Sequence, residues 1–529
     1  MSSKRSRDLL AFALALVIAA FVIFYRLTDF PLYFFCDEAI PAVEAQSLLS
    51  TGRDRAGVLW PLFIRGYGAY QLSLSVYWLL PFQALFGMSE IVVRACAAVA
   101  SLIGVAGASF FVRRIFPANC CWTLVPLVFY GAPFWYLHTR TGFEVVISAS
   151  AWLIVVASFG SLWRTDPTES RSVRREIATW ACFLLAFAFC FYSYTPARGW
   201  APMTLVVLLL AWLPGTLVQW RRTTLLLLLT TLLVTPYLMA ALFRPEIAFG
   251  RLNDLGGMHL DQALPQLGTI VDPHYWFSSE VRFESRERHT LPGMGLIPFY
   301  FFPLTLLGAL VCLIEFRRRP EIRAVILLLP VGAFPAVLVA VNPLRSMPVG
   351  LVYLLLTAAG LAFLGQWFAA SWRQTRIAVG ALLAINLFAL NHYVFASAIR
   401  SYSDYGFYGV QTGQREVFAW IKANLDRYGE IRLTHAAFNG NETLIDFYLT
   451  GAEREAVKVR NAKAPCVLDE ARTQVWILRE ERYVTLEHSG CPVVRQILQT
   501  LYDPRGAPLF RMVQISPLPE FIAPVEPRR

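Results

Sequence analysis

The stretch Arg26-Leu27-Thr28-Asp29-Phe30-Pro31-Leu32-Tyr33-Phe34-Phe35-Cys36-Asp37-Glu38-Ala39-Ile40-Pro41 follows the first long apolar run of the chain and carries two adjacent carboxylates, Asp37 and Glu38. Neighbouring residues on a helix diverge by about 100°, so Asp37 and Glu38 cannot do the same job. One can face a reacting hydroxyl while the other anchors the loop. The bland reading is a helix start, with Asp37 as a capping residue ahead of an amphipathic run. What lies on either side decides how much weight the pair carries.

Upstream, Lys4, Arg5 and Arg7 precede an apolar run from Leu9 to Tyr25. The run is longer than a signal-peptide core and lacks a small-residue cleavage site, so it reads as an uncleaved first span. The whole chain continues in this manner: 529 residues, 56% hydrophobic and 16% charged, with mean hydropathy +0.50. That is too apolar for one water-soluble globule and implies a polytopic α-helical membrane protein. The formal charge of +11 would suggest nucleic acid in a soluble protein. Here the basic residues stand in short clusters between apolar runs, which is a topology signal and excludes a nucleic-acid partner.

Segments able to cross a bilayer run over about 9–25, 91–112, 120–137, 145–163, 177–194, 201–219, 225–243, 296–316, 324–341, 348–368 and 377–396. A twelfth, 71–87, fixes the orientation of all that follows. If it spans, the clusters around Arg113, Arg174, Arg221, Arg318 and Arg373 fall opposite Lys4, Arg5 and Arg7. If it lies in the interface, they all fall on the same, cytoplasmic side, as the positive-inside rule prefers. The expectation is therefore about eleven transmembrane helices, with the N-terminus in the cytoplasm.

On the outer side two connections are long, 26–90 and 244–295, and the others are tight turns. Long connections in a compact bundle are commonly functional. The spans themselves carry almost no charge except Arg94, whereas transporters more often keep ionisable groups near midplane. The candidate polar groups are thus external: the turn His138 to Glu144 with Arg140, the run Arg282 to His289 with Arg286, and the isolated Arg345. Each has a bland alternative, respectively a local ion pair, a solvated charged face and a lipid-headgroup contact. As phosphate ligands the arginines offer forked donors. His259, His274 and His289 have no metal-ligand spacing.

Beyond about residue 397 the composition becomes that of a soluble domain. Helices are expected over 415–425 and 442–449, strands over 430–435 and 474–478, and a hairpin over 497–515 turning at Asp503-Pro504-Arg505-Gly506. The domains expected are a membrane domain, 1–397, and an extracytoplasmic α/β domain, 398–529. Cys466 and Cys491 would be free to pair there in an oxidising compartment. Asn441-Glu442-Thr443 matches a glycosylation sequon.

Several stretches, in order, resemble GT-C glycosyltransferases of the family 39 type, related to protein O-mannosyltransferases and the aminoarabinose lipid A transferase. They are Asp37-Glu38-Ala39, Ser47 to Asp54, Trp60-Pro61, Gly87 with Val93-Arg94, His138 to Glu144, Arg286 to Gly295, and Leu344 to Gly350. Together they cover most of residues 1–410. The resemblance implies an inverting transfer of a sugar from a polyprenyl-phosphate donor to a lipid, glycan or protein acceptor on the outer face of a bacterial inner membrane. It makes Asp37 the catalytic carboxylate, Glu38 its partner and Glu144 a second acid where many relatives have Asp. Arg286, His289 and Arg345 would hold the donor phosphate, with Arg94, Arg140 and Asp54 in support. It fixes no cofactor and leaves metal dependence open, with Asp37, Glu38 and Glu144 as candidates to hold a divalent cation. The rival readings are a lipid-linked-sugar transporter or flippase, and an O-antigen ligase or polymerase.

Overall fold

The computed structural model describes residues 2–66, 69–72, 74–117, 121–163, 172–254, 262–280, 289–291, 293–338, 341–367, 372–396, 413–435, 437–460, 473–489, 493–503 and 506–517. The chain divides into two compact units. One is Met1–Phe30 with Glu44–Ser397, and the other is Pro31–Val43 with Ala398–Arg529. The second unit therefore takes in thirteen residues, 31–43, from the first outer loop.

The first unit is helical. Among the described residues seven helices are long and apolar enough to cross a membrane: Arg5–Phe24, Glu90–Ile115, Glu144–Leu162, Val173–Ser193, Trp220–Phe243, Met347–Gln366 and Gln374–Ala396. The other four expected spans are not single long helices. Residues 120–137 form Val125–Tyr130 and Pro133–Thr139, residues 201–219 form Ala197–Ala211 and Leu213–Val218, and residues 324–341 form Pro320–Leu327 and Leu329–Leu338. Residues 296–316 form the 3-10 turn Phe299–Phe301 and the helix Phe302–Ile314. Proline explains the breaks, because it lacks an N–H and favours the first turn of a new helix. At one break the Phe134 N–H, left without a helical partner, donates to the Leu296 carbonyl at 3.0 Å. Non-helical backbone at membrane depth needs such a partner within the protein.

Two glycines set the closest helix contact. A Cβ on Gly308 would lie 1.9 Å from the Leu356 carbonyl oxygen, and one on Gly360 would lie 2.0 Å from that of Leu304. The helices Phe302–Ile314 and Met347–Trp367 can pack at this distance only because both positions lack side chains.

The ambiguous segment 71–87 contains the helix Leu74–Phe86, 13 residues long. At 1.5 Å per residue it rises about 20 Å, short of a hydrocarbon core of about 30 Å. Contacts at the helix ends give the same answer. Phe12 lies 5.2 Å from Trp122, Phe110 packs on both rings, and Arg113 sits over Trp122. Asp8 pairs with Arg376 at 2.9 Å. Arg319 donates to the Ile115 carbonyl, Arg323 to that of Ala211 and Arg222 to that of Leu162. The start of the first helix and these basic clusters thus share one end of the bundle.

The second unit holds a five-stranded sheet in the order β4-β3-β5-β7-β6, where β3 is Ile431–Thr434, β4 Val457–Arg460, β5 Gln474–Arg479, β6 Val493–Tyr502 and β7 Pro508–Pro517. The short strands β1, Ile64–Gly66, and β2, Ala69–Leu72, belong to the first unit. Strand β3 runs parallel to β4 and β5, whereas β7 is antiparallel to β5 and β6. The helices Gln414–Tyr428 and Asn441–Tyr448 and the hairpin fall where the sequence places them. Strand β4 and the helix Glu480–Glu487 are additions to that reading. Cys466 and Cys491 lie outside the described residues.

Candidate functional site

The acidic pair is split by its own helix. Cys36–Thr51 begins one residue before Asp37, and the consecutive side chains diverge as the helical period requires. Glu38 is fully buried, and its Oε2 accepts the Phe35 N–H at 2.9 Å. The Phe35 carbonyl in turn accepts the Glu38 and Ala39 N–H groups. Glu38 therefore closes the turn that enters the helix. Asp37 is exposed in the helix's first turn, where the positive end of the helix dipole favours a carboxylate.

In the first unit, the end of the bundle opposite the basic clusters is held by two buried arginines. Arg140 donates from Nε to the Phe30 carbonyl, from Nη1 to those of Val22 and Ile23, and from Nη2 to those of Tyr25 and Arg26, at 2.5–3.1 Å. These are the last carbonyls of the helix Ser2–Phe24 and the turn that follows, which have no helical partners. Burial pushes the Arg140 guanidinium below its ordinary value. Arg26, in the left-handed region at φ 49°, is braced by its ion pair with Asp29. Arg94, fully buried, donates to the Leu27 carbonyl at 3.2 Å. Both arginines act on backbone, where the sequence reading had placed them in support of the acids. Asp54, also buried, accepts the Val58 N–H at 2.7 Å and so closes its own turn.

Three loops of that unit meet through a chain of hydrogen bonds. His138 Nδ1 lies 2.6 Å from the Phe134 carbonyl, which can only accept, so this nitrogen carries the proton. His138 Nε2 then accepts from His289 Nδ1 at 3.3 Å. His289 Nε2 accepts from the Asn342 amide at 3.0 Å, while Asn342 Oδ1 takes the Leu344 N–H at 2.8 Å. Every tautomer is fixed by its neighbour, and both imidazoles are neutral. Burial drives the His138 pKa down to about 4. The Asn342 carbonyl also holds both the Ser346 N–H and its hydroxyl, so the relay sets the turn that carries Arg345. Arg345 is half-buried there, and Glu144, also half-buried, starts the helix Glu144–Leu162. Arg286 lies outside the described residues.

His289 was expected to bind phosphate, but its two ring nitrogens are engaged by His138 and Asn342. Sequence reading did not single out Asn342 as part of a site. The Asn342-Pro343 pair marks a turn, but nothing in the sequence links it to His289. No group of three or more His, Cys, Asp or Glu is placed to hold a metal ion among the described residues.

A cavity of about 1090 Å³ opens in the same unit. Phe277, Met294, Phe299, Phe302 and Leu390 form its apolar walls, and Asp272, His274, Ser278 and Glu280 give it polar lining. The volume is at the upper end of small-ligand pockets, typically about 300–1,000 Å³.

The chain has the GT-C fold. It superposes on ArnT from Cupriavidus metallidurans bound to undecaprenyl phosphate with a TM-score of 0.55 at 14% identity, covering 94% of this chain and 97% of that one. For the apo state of the same protein the TM-score is 0.58 at 14% identity, with 97% and 98% covered. The archaeal oligosaccharyltransferase AglB from Archaeoglobus fulgidus, in complex with an inhibitory peptide and a dolichol-phosphate, gives 0.54 at 12% identity, covering 99% of this chain and 75% of that one. No protein-family model and no curated protein matches the sequence.

Proposed function

We propose that the chain is an inverting glycosyltransferase that moves a sugar from a polyprenyl-phosphate donor to an acceptor hydroxyl at the outer face of a bacterial inner membrane. The observation that carries this reading is the fold, which corresponds nearly end to end with ArnT bound to undecaprenyl phosphate and with three quarters of AglB in complex with a dolichol-phosphate. Asp37 is the proposed general base. It takes the proton of the acceptor hydroxyl as that oxygen bonds to the anomeric carbon, and the bond from that carbon to the phosphate oxygen breaks on the opposite face. The products are an inverted glycoside and free polyprenyl phosphate.

Arg345 and Arg286 are the proposed ligands of the departing phosphate, in the manner of preorganised charge clamps. His289 serves by holding the Arg345 turn, and Glu144 is the second acid of the polar surface. The cavity lined by Phe277, Phe299 and Phe302 suits part of an isoprenoid chain. In this reading the N-terminus is cytoplasmic, residues 1–397 form the membrane domain, and residues 398–529 form an extracytoplasmic domain.

Purified protein in nanodiscs, given labelled polyprenyl-phosphate hexoses and pentoses in parallel, tests the reaction and sorts the sugar class. A new glycosidic bond with release of polyprenyl phosphate is expected. A transporter or flippase would move the donor and make no such bond, and an O-antigen ligase or polymerase would require a pyrophosphate-linked oligosaccharide.

A further inference from the structure

Asp37 stands three residues after a side chain that is locked into the C-terminal sheet unit. Phe34 is 1% exposed, and its ring lies 4.6 Å from Phe447 and 6.5 Å from Tyr448. From Tyr448 the packing continues to Phe418 at 4.8 Å, to Phe438 at 6.0 Å and to Phe510 of β7 at 5.1 Å. The Phe34 carbonyl also accepts a hydrogen bond from Gln414 Nε2 at 3.2 Å, across 380 residues of sequence. Gln414 is buried and opens the helix Gln414–Tyr428. Gly413 before it sits at φ +81°, where a Cβ would press within 3.1–3.3 Å of Leu509 and Phe510. The place of Gln414 is therefore set by backbone that has little room to move.

We infer that Gln414 and Phe34 are positioning residues for Asp37, and that the C-terminal unit is the part of the protein that aims the catalytic loop. The inference rests on the reading of Asp37 as the general base. From the sheet outward, β7 supports Phe438, the aromatic series seats Phe34, Gln414 fixes its carbonyl, and the Phe35–Glu38 turn carries that register to Asp37. Each contact lies within one compact unit, which includes residues 31–43. A base displaced by a fraction of an ångström loses rate while donor binding is preserved.

The test uses the full-length protein with Gln414→Ala, Phe34→Leu and Gln414→Glu, and with Val513→Ala as a buried sheet substitution in the separate cluster of Trp476, Leu478 and Tyr483. Gln414→Ala and Phe34→Leu are expected to lower kcat about tenfold, the scale of one buried hydrogen bond, with KM for the lipid donor unchanged. Val513→Ala is expected to lower Tm and leave kcat intact below the unfolding transition. Gln414→Glu carries its own signature. Its ionised carboxylate opposes the Phe34 carbonyl and its protonated form can donate, so activity relative to wild type rises as pH falls. Hydrogen exchange over residues 31–43 gives a readout that needs no activity, with faster exchange expected in Gln414→Ala.

Wild-type kcat in Gln414→Ala and Phe34→Leu, or losses no larger than in Val513→Ala, would overturn the inference. So would unchanged exchange over 31–43. An inactive wild type with faster exchange in the variants would instead count against the transferase reading and leave the clasp standing.

Discussion

Two successive parts of the first outer loop are held by different means. Leu27 to Phe30 are pinned by cations, since Arg94 and Arg140 donate to their carbonyls from buried positions. Pro31 to Val43 include a ring packed among others, a carbonyl held by the Gln414 side-chain amide and the turn closed by Glu38. The contrast shows that charge in an apolar bundle is not by itself a sign of chemistry. A guanidinium such as that of Arg140, with Nε, Nη1 and Nη2 all on main-chain carbonyls, is a helix cap with high positional demand. The exposed carboxylate sits instead in the part whose register is set by ring packing and by the Gln414 amide.

The sharpest break of this comparison is Asp37→Asn, which removes the proposed base and keeps the size of the side chain. Turnover should fall on the order of 10²–10⁴-fold, while thermal unfolding in detergent stays near wild type. A parallel loss of folded protein would place Asp37 with the structural residues instead.

Arg140→Lys should do the reverse. Lysine cannot fork to five carbonyls, so a loss of about 3 kcal/mol or more in stability is expected. Recovery of monodisperse protein and its Tm report this directly, and residual folded enzyme should keep its donor KM.

The relay gives a pH test. His138 is held neutral in the folded state to about 4, against an ordinary value near 6.5 in the unfolded chain. Above about pH 6.5 both states are neutral and the stability is intact. As pH falls from there towards 4, only the unfolded state gains the proton, so stability drops by at most about 3 kcal/mol and then levels off. A Tm series from pH 7.5 to 4 should show this fall, and His138→Gln should flatten it.

Asp54→Ala should have the smallest effect. It loses the hydrogen bond from the Val58 N–H, worth about 1 kcal/mol. A modest decrease in Tm with unchanged kcat is expected, and a large loss of rate would return Asp54 to the catalytic surface.

Much of the fold could be read along the chain because its signals are local. Apolar run length gave the long helices, the basic clusters ordered the bundle ends, and the Asp503 to Gly506 turn gave the hairpin. The broken spans were less legible, because an apolar run looks alike whether or not proline divides it. For the site, the divergence of Asp37 and Glu38 follows from helical period, but which of them is buried does not. That Arg94 and Arg140 donate to backbone could not be read, because a carbonyl that needs a donor leaves no mark in sequence.

Composition and periodicity by themselves determined a multi-span helical membrane protein with a mixed α/β unit at its C-terminal end, since hydropathy and alternation are properties of consecutive residues. Only the tertiary structure decided that Glu38 turns inward while Asp37 is exposed, that His138, His289 and Asn342 form one relay, and that Phe34 reaches Gln414. Those outcomes depend on which distant donors and rings arrive at the same place, and such meetings are fixed by packing in three dimensions.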